Sequence, residues 1–373
     1  MNYISFLGLI TLIASAWLIS LYKTDIKIKP IIWGISLQLI FALIILREDY
    51  MSFIGMGILG ILLIMYNNKN EIQLRENIFK SFLIILISLS IGLSLTLFPQ
   101  IAYYIILLSV FLILIKSLLN FNIKLDNIIN SILIISIIAY LIANNLHGKI
   151  IFQNFSSKIA YFLSLSDYGA EFLFGNLSNG KYFFTSSDSL WPGFGFQFAF
   201  KVLPTIIFFG GFMSVLYYWG IMQKLIQTMS QFMRWSIGTS GAETLSCSAN
   251  VFVGQTEAPL LIKPFLEKMT KSELFTIMVG GFATIAGGVL AGYIAMGVPA
   301  GHLIAASVMS APAALVIGKI IFPEKERSET AGNVELPIIN VGSNTIEAAS
   351  NGITDGLKLA VNVGAMLIGF IAL

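Results

Sequence analysis

A run of ten residues, Asn250–Pro259, combines polar and ionisable side chains with residues that interrupt a helix. Gly254 permits a chain reversal, and Pro259 suits the first turn of a new helix. Three polar residues would then lie at a helix amino terminus beside free backbone N–H groups: Gln255, Thr256 and Glu257. An amide, a hydroxyl and a carboxylate in one place suit a small solute that carries hydroxyl and amide groups.

The other half of the same interruption favours a cation. Asn250 and the carbonyl of Val253 would lie at the carboxyl end of the preceding helix, where the helix dipole attracts positive charge. The alternative is a cytoplasmic loop in which Glu257 only caps a helix. Interrupted helices that present such ends within a membrane are a recurrent plan of secondary transporters.

The composition places this run in a membrane protein. Of 373 residues, 57% are hydrophobic and 11% are charged, and the mean hydropathy is +0.85. Soluble domains carry about 25% charged residues. The apolar residues form long blocks of the length that a bilayer about 30 Å thick requires. In hydrocarbon, ionisable side chains persist where they are buried in protein or line a water-filled cavity.

Several other classes of protein are disfavoured. The single cysteine, Cys247, excludes an intramolecular disulfide framework and a cysteine-based metal cluster. His147 and His302 match no metal spacing, and the net charge of +3 gives no indication of nucleic-acid binding. A polytopic membrane enzyme with Glu243 or Glu257 as its acid–base group stays a distant alternative, since it needs a second catalytic residue that the sequence does not reveal.

The blocks predict an all-α integral membrane protein with about ten transmembrane helices, interfacial helices and one re-entrant helical hairpin at about 239–272. The hairpin follows from basic residues at both of its ends, which predict entry and exit on the cytoplasmic side. The same charge asymmetry places Lys69 and Lys325 inside and Asp188 outside. The predicted parts are two N-terminal transmembrane helices (1–47), a block of about four (48–145), an extracytoplasmic or interfacial region (146–193), a core containing the hairpin (194–327), and a linker, amphipathic helix and last transmembrane helix (328–373).

The span after the hairpin, Leu274–Met296, is predicted to start at a capping box formed by Thr270 and Glu273. Its glycines favour close helix packing rather than chemistry. Thr284 among them could satisfy its own helix backbone.

Five segments resemble the concentrative nucleoside transporter family. Ser248–Pro264 carries the motif NVFVGQTEAP. The others are FAFKVLPTIIFF at Phe198–Phe209, the segment Leu274–Tyr293, LKLAVNVGAML at Leu357–Leu367 and DYGAEFLFGNL at Asp167–Leu177. The resemblance covers about residues 145–373 and, more weakly, 1–47.

The resemblance implies a sodium-coupled symporter that imports nucleosides across the inner or plasma membrane as a multi-pass homotrimer, with sodium as coupling ion and no other cofactor. It places Gln255, Thr256 and Glu257 on nucleobase and ribose, and the apolar Val289 and Leu359 near the base. The sodium shell it implies comprises Asn250, Val253, Thr284 and Ile285. Thr284 stands where the family commonly has a serine, and its retained hydroxyl favours sodium over the alternative of proton coupling.

Two departures from the family pattern accompany the resemblance. The spans from Met51 to Ala143 lie where the family has a short connection. Family members also continue beyond the helix matching Leu357–Leu373 into a second hairpin and further spans. Three alternatives follow: the chain is a fragment, a separate polypeptide supplies the remainder, or the transport function is lost. The main rival to a carrier is a transport-incompetent fragment.

Overall fold

The computed structural model describes residues 3–69, 78–119, 126–184, 191–252, 254–255, 258–326, 328–330, 332 and 341–373, and all regular structure in these ranges is helical. The first six helices are α1 (Tyr3–Leu18), α2 (Ile28–Leu46), α3 (Tyr50–Asn67), α4 (Ile78–Leu97), α5 (Pro99–Leu119) and α6 (Asp126–Ala143). The next four are α7 (Gly148–Ser164), α8 (Ser166–Phe174), α9 (Phe198–Tyr218) and α10 (Ile221–Ile237). The last six are α11 (Gly241–Ala249), α12 (Ala258–Leu261), α13 (Lys271–Ala283), α14 (Gly287–Ala295), α15 (Ala300–Ile321) and α16 (Thr345–Ala372).

Eight helical segments within the described ranges are long and apolar enough to cross a membrane, and two shorter apolar helices, Leu7–Leu18 and Ser81–Leu97, accompany them. Since the chain is helical wherever regular structure is described, the predicted fold class, an all-α integral membrane protein, is confirmed. The number of about ten transmembrane helices stays a prediction.

The chain divides into two compact units. One comprises Leu37–Asn154, which contains the predicted block 48–145. Its helices pack closely where glycines permit, as at Gly60 of α3, whose surface contacts Ile138 of α6. The hydroxyl of Ser52 donates a hydrogen bond to the carbonyl of Ile44 (3.1 Å) and accepts one from the N–H of Gly148 (3.0 Å).

The other unit comprises Met1–Ser36 and Phe155–Leu373, and α9 lies at its centre. A Cβ added to Gly210 of α9 would lie 2.7 Å from the carbonyl oxygen of Gly352 in α16, so the two backbones touch. Gly292 of α14 also packs closely on α9, because a Cβ added to it would lie 2.9 Å from the side chain of Val202. The interpretation of these glycines as packing residues therefore holds, and α9 supports both α14 and α16.

The predicted interfacial region 146–193 contains α7, α8 and two short 3₁₀ turns within its described part. Helix α7 begins at Gly148, near the start of this region, and continues without a break to Ser164. α8 is attached to α9 by an ion pair between Asp167 and Lys201 (2.6 Å). A hydrogen bond between the hydroxyls of Ser166 and Thr205 (3.0 Å) adds a second link.

Two predicted elements differ in extent. The span Leu274–Met296 is divided into α13 and α14, because Thr284 and Ala286 leave helical geometry (ψ 157° and 137°). The amphipathic stretch near Thr345 and the last span form one helix of 28 residues, α16. Glycines at 352 and 356 allow that helix to continue straight along α9.

Candidate functional site

The first arm of the predicted hairpin is α11, and all nine of its residues are buried. The backbone N–H of Ser240 donates to the carboxylate of Glu243 (2.8 Å), which satisfies a donor that the helix start leaves free. The hydroxyl of Thr244 donates to the carbonyl of Ser240 (2.5 Å). Glu243 and Thr244 therefore pair with backbone groups of Ser240 at the start of their own helix, although the arm is buried along its whole length.

The hairpin is interrupted where the sequence predicts. Helix α11 ends at Ala249, and α12 begins at Ala258, whose N–H donates to the carbonyl of Gly254 (3.0 Å). Between them, the carbonyl of Val251 accepts a hydrogen bond from the hydroxyl of Ser307 in α15 (2.8 Å). The second arm is a single turn of α-helix followed by the 3₁₀ helix Lys263–Lys268.

Asn250 lies at the carboxyl end of α11 and is fully buried. Among the described residues, neither the oxygen nor the nitrogen of its side-chain amide has a hydrogen-bond partner. Buried polar atoms are nearly always paired, and each unpaired one costs about 1–3 kcal/mol. An unpaired buried amide therefore marks a place where a ligand can supply the missing partner.

A second interruption separates α13 from α14. The hydroxyl of Thr284 donates to the carbonyl of Gly280 one turn earlier (2.9 Å), so the interpretation that Thr284 satisfies its own helix is confirmed. This bond uses the hydroxyl hydrogen and leaves oxygen lone pairs available to a cation. Thr284 and Ile285 are both partly buried.

Close packing between glycines and the hairpin brings the two interruptions together. A Cβ added to Gly280 would lie 2.8 Å from the sulfur of Cys247 and 3.5 Å from the Nδ2 of Asn250. Gly287, the first residue of α14, contacts the carbonyl oxygen of Phe252 so closely that no side chain fits. The segment after α11 and the start of α14 therefore meet. The amide of Asn250, which has no partner among the described residues, lies beside Gly280, one helical turn before Thr284.

The structure also locates some of the residues that are predicted to bind the nucleoside. Gln255 is exposed, and its Cβ would lie 3.3 Å from a Cβ added to Gly281 of α13. Leu359 of α16 reaches α14, where its methyl carbon would lie 2.9 Å from a Cβ added to Gly288, the neighbour of Val289. The remaining predicted site residues, Val253, Thr256 and Glu257, lie outside the described residues.

Sequence reasoning missed Ser307, which holds the interrupted segment. A serine within an apolar span is common, and nothing in the sequence of α15 distinguishes Ser307 from the neighbouring Ser310. Its role follows only from its contact with Val251, 56 positions away. The glycine-to-hairpin contacts were likewise expected as general packing and not as contacts with this site.

Two helix interruptions pack against each other here, with the amide of Asn250 at the first and the hydroxyl of Thr284 at the second. This is the interrupted-helix plan of secondary transporters. Comparison with known proteins gives the family. Residues 199–300 match the nucleoside recognition gate, and residues 302–373 and 7–54 match the C-terminal and N-terminal parts of the Na+ dependent nucleoside transporters.

Known relatives agree with these matches. The chain is 48% identical over 222 residues to an uncharacterized transporter of Haemophilus influenzae, covering 58% of this chain and 49% of that protein. It is 46% identical over 223 residues to the sodium/nucleoside cotransporter 2 of Rattus norvegicus, covering 59% of this chain and 31% of that one. The solved structure of CNTnw in an inward-facing substrate-bound state has a TM-score of 0.65 and 31% identity, covering 99% of this chain and 64% of that chain.

The chain belongs to the concentrative nucleoside transporter family and is a multi-pass membrane protein. It spans half or less of the length of the two curated relatives above and 64% of the solved structure. Those relatives are transporters, and not enzymes, in their descriptions.

Proposed function

We propose that this chain binds sodium and a nucleoside as the core of a secondary active transporter that imports nucleosides by symport with sodium. The observation that carries the proposal is the buried amide of Asn250, which lacks a partner among the described residues and lies beside the second helix interruption. A sodium ion would accept the amide oxygen as a ligand. The negative end of the α11 dipole favours a cation at the same position.

The chemistry of the described residues favours sodium over a proton. Asn250, Thr284 and Ile285 contain no group that titrates near neutral pH. Thr284 donates its hydrogen to Gly280 and presents only lone pairs, which suits a hard cation that binds oxygen. The backbone carbonyls of Val253 and Ile285 complete the shell that we propose.

The nucleoside would lie between the hairpin tip and the contact of α14 with α16. Leu359 and Val289 offer apolar surface for a base. Gln255 is exposed, packs against Gly281 of α13, and belongs to the sequence motif that also contains Thr256 and Glu257. Support for a nucleoside comes from the family matches and from the description of the rat relative as a sodium/nucleoside cotransporter. We also propose that the protein forms a homotrimer and resides in the inner or plasma membrane.

The proposal is tested by uridine uptake into proteoliposomes containing the purified chain. An inward sodium chloride gradient should drive accumulation, and choline chloride at equal ionic strength should not. Calorimetry of uridine binding to the chain in detergent, with sodium and with choline, separates binding from transport. Binding without uptake would support the fragment alternative, whereas uridine binding that is the same in choline would refute sodium coupling.

A further inference from the structure

A second polar cluster lies at the opposite end of the hairpin from Asn250, and its central residue is Lys319. This lysine occupies the last turn of α15, and its side chain is only 10% exposed. Its ammonium lies 2.8 Å from the carboxylate of Glu243 and 3.4 Å from that of Glu324, and it donates a hydrogen bond to the hydroxyl of Ser272 (2.9 Å). Removing an ammonium from water costs desolvation free energy, which the groups that contact Lys319 must offset.

The partners of Lys319 come from both ends of the hairpin. Glu243 belongs to the first turn of α11, where the hairpin enters. Ser272 belongs to the first turn of α13, just after the hairpin leaves. Glu324 follows α15 and accepts a hydrogen bond from the hydroxyl of Thr270 (2.7 Å), the residue that caps α13. One ammonium group therefore holds the entry, the exit and α15 together.

The cluster contains more acid than base. Glu243 and Glu273 are fully buried, and the side chain of Glu324 is 15% exposed. Glu273 is supplied by hydroxyl donors, among them Thr330 (2.6 Å), and does not need the lysine. Glu243 accepts from the N–H of Ser240 and forms an ion pair with Lys319, so the ammonium of Lys319 compensates its charge. A cavity of about 230 Å³ lies beside this pair, between it and the segment after α15.

Helix α11 links this cluster to the proposed ion site. Glu243 and Asn250 are seven residues apart, which places them roughly 10 Å from each other along the helix at about 1.5 Å per residue. Helix α15 holds both ends of that helix, through Lys319 at Glu243 and through Ser307 at the carbonyl of Val251.

We infer that Lys319 is a positioning residue: it fixes the start of α11 through Glu243 and thereby sets the place of the Asn250 amide in the ion site. The role in ion binding rests on the proposed function, whereas the anchoring of α11 does not. Without the ammonium, the carboxylate of Glu243 is left buried and uncompensated. The adjoining cavity gives it a route toward water, and movement along that route displaces α11.

Cys247 is a natural reporter of α11. It is the single cysteine of the chain, it is fully buried, and it lies one turn after Glu243 and almost one turn before Asn250. A small thiol reagent, methyl methanethiosulfonate, can reach it only when α11 separates from α13. The modification rate, followed on the purified chain by intact-protein mass spectrometry, therefore measures how firmly α11 is held.

Lys319→Met should raise the modification rate of Cys247 in choline chloride by about tenfold or more, because a buried charge has lost its partner. Lys319→Arg should retain a rate close to wild type. The double variant Lys319→Met with Glu243→Gln should recover most of the protection, since the stranded charge is also gone. Lys149→Met is the matched control, because Lys149 forms a half-exposed ion pair with Glu48 in the other unit.

The outcomes separate the two proposals. A folded Lys319→Met protein with the wild-type Cys247 rate overturns the anchoring role of Lys319. If that variant is not monodisperse, Lys319→Gln takes its place, because it also removes the charge opposite Glu243 while keeping a long side chain that can donate a hydrogen bond. An unchanged rate there overturns the role equally. Sodium should slow the wild-type reaction and should lose that effect in Lys319→Met. A wild-type rate that does not respond to sodium refutes the ion site itself, whatever the lysine variants do.

Discussion

Replacing Asn250 with leucine should make the sodium-free protein more stable and abolish its response to sodium. Asparagine and leucine are similar in size, and the side chain at position 250 is fully buried. The wild-type amide lacks partners among the described residues, and a buried polar group in that state costs about 1–3 kcal/mol. Asn250→Leu removes this penalty and should stabilise the sodium-free protein by the same order.

Sodium should stabilise the wild type and should leave Asn250→Leu almost unchanged. A ligand that binds only the folded state at ten times its Kd stabilises that state by about 1.4 kcal/mol. Wild type should gain this amount in sodium chloride, whereas Asn250→Leu should gain almost nothing because the amide oxygen is absent. At about 2.1 cal/mol/K of unfolding entropy per residue, a change of about 1 kcal/mol shifts the Tm of a 373-residue protein by roughly 1–2 °C.

The assay is thermal unfolding of purified protein in detergent, in sodium chloride and in choline chloride at equal ionic strength. Asn68→Leu is the matched control. Asn68 is also buried, but its amide donates to the carbonyl of Ile64 (2.9 Å) and to Ser131 (3.1 Å). Asn68→Leu should therefore lower Tm in both salts and keep the sodium response.

Two results would refute the reasoning. If Asn250→Leu unfolds at a lower temperature than wild type in choline chloride, then the amide already has partners that hold the fold together. If the variant keeps the full sodium response, then Asn250 is not a ligand of the ion.

Three further predictions concern coupling, substrate and topology. Thr284→Ala removes one oxygen ligand and should raise the sodium concentration for half-maximal uridine binding by about tenfold, whereas Thr284→Ser should not. Calorimetry of uridine binding at a series of sodium concentrations measures this. Equal values for the two variants would exclude the hydroxyl as a ligand. Glu257→Gln should weaken uridine binding by about 1.5–3 kcal/mol and should reduce the discrimination against deoxyuridine, and wild-type affinity in this variant would leave Glu257 as a helix cap only. In a Cys247→Ser background, a cysteine at position 325 should react with an impermeant reagent only after the membrane is permeabilised, and labelling from outside would invert the predicted orientation.

Local properties of the sequence determined the fold class and the first interruption. Long apolar blocks identify a membrane protein because a bilayer demands them, and this demand does not depend on tertiary contacts. Gly254 and Pro259 interrupt a helix by their own covalent structure, so the break between α11 and α12 was predictable. The resemblance of the motif around Gln255 to one family was equally a property of the sequence.

Only the tertiary structure decided how the two interruptions meet. The sequence around Thr284 predicts one continuous span, yet the span divides there, and Gly287 at the start of α14 packs on the carbonyl of Phe252. The unpaired state of the Asn250 amide also depends on its neighbours in space and is invisible in the sequence.

The same holds for Lys319, which lies in a predicted span with no assigned role. Its partner Glu243 precedes it by 76 positions, and no short-range pattern connects the two. Only folding brings Lys319 beside the carboxylate that compensates its charge, so the role of this lysine cannot be inferred from the sequence.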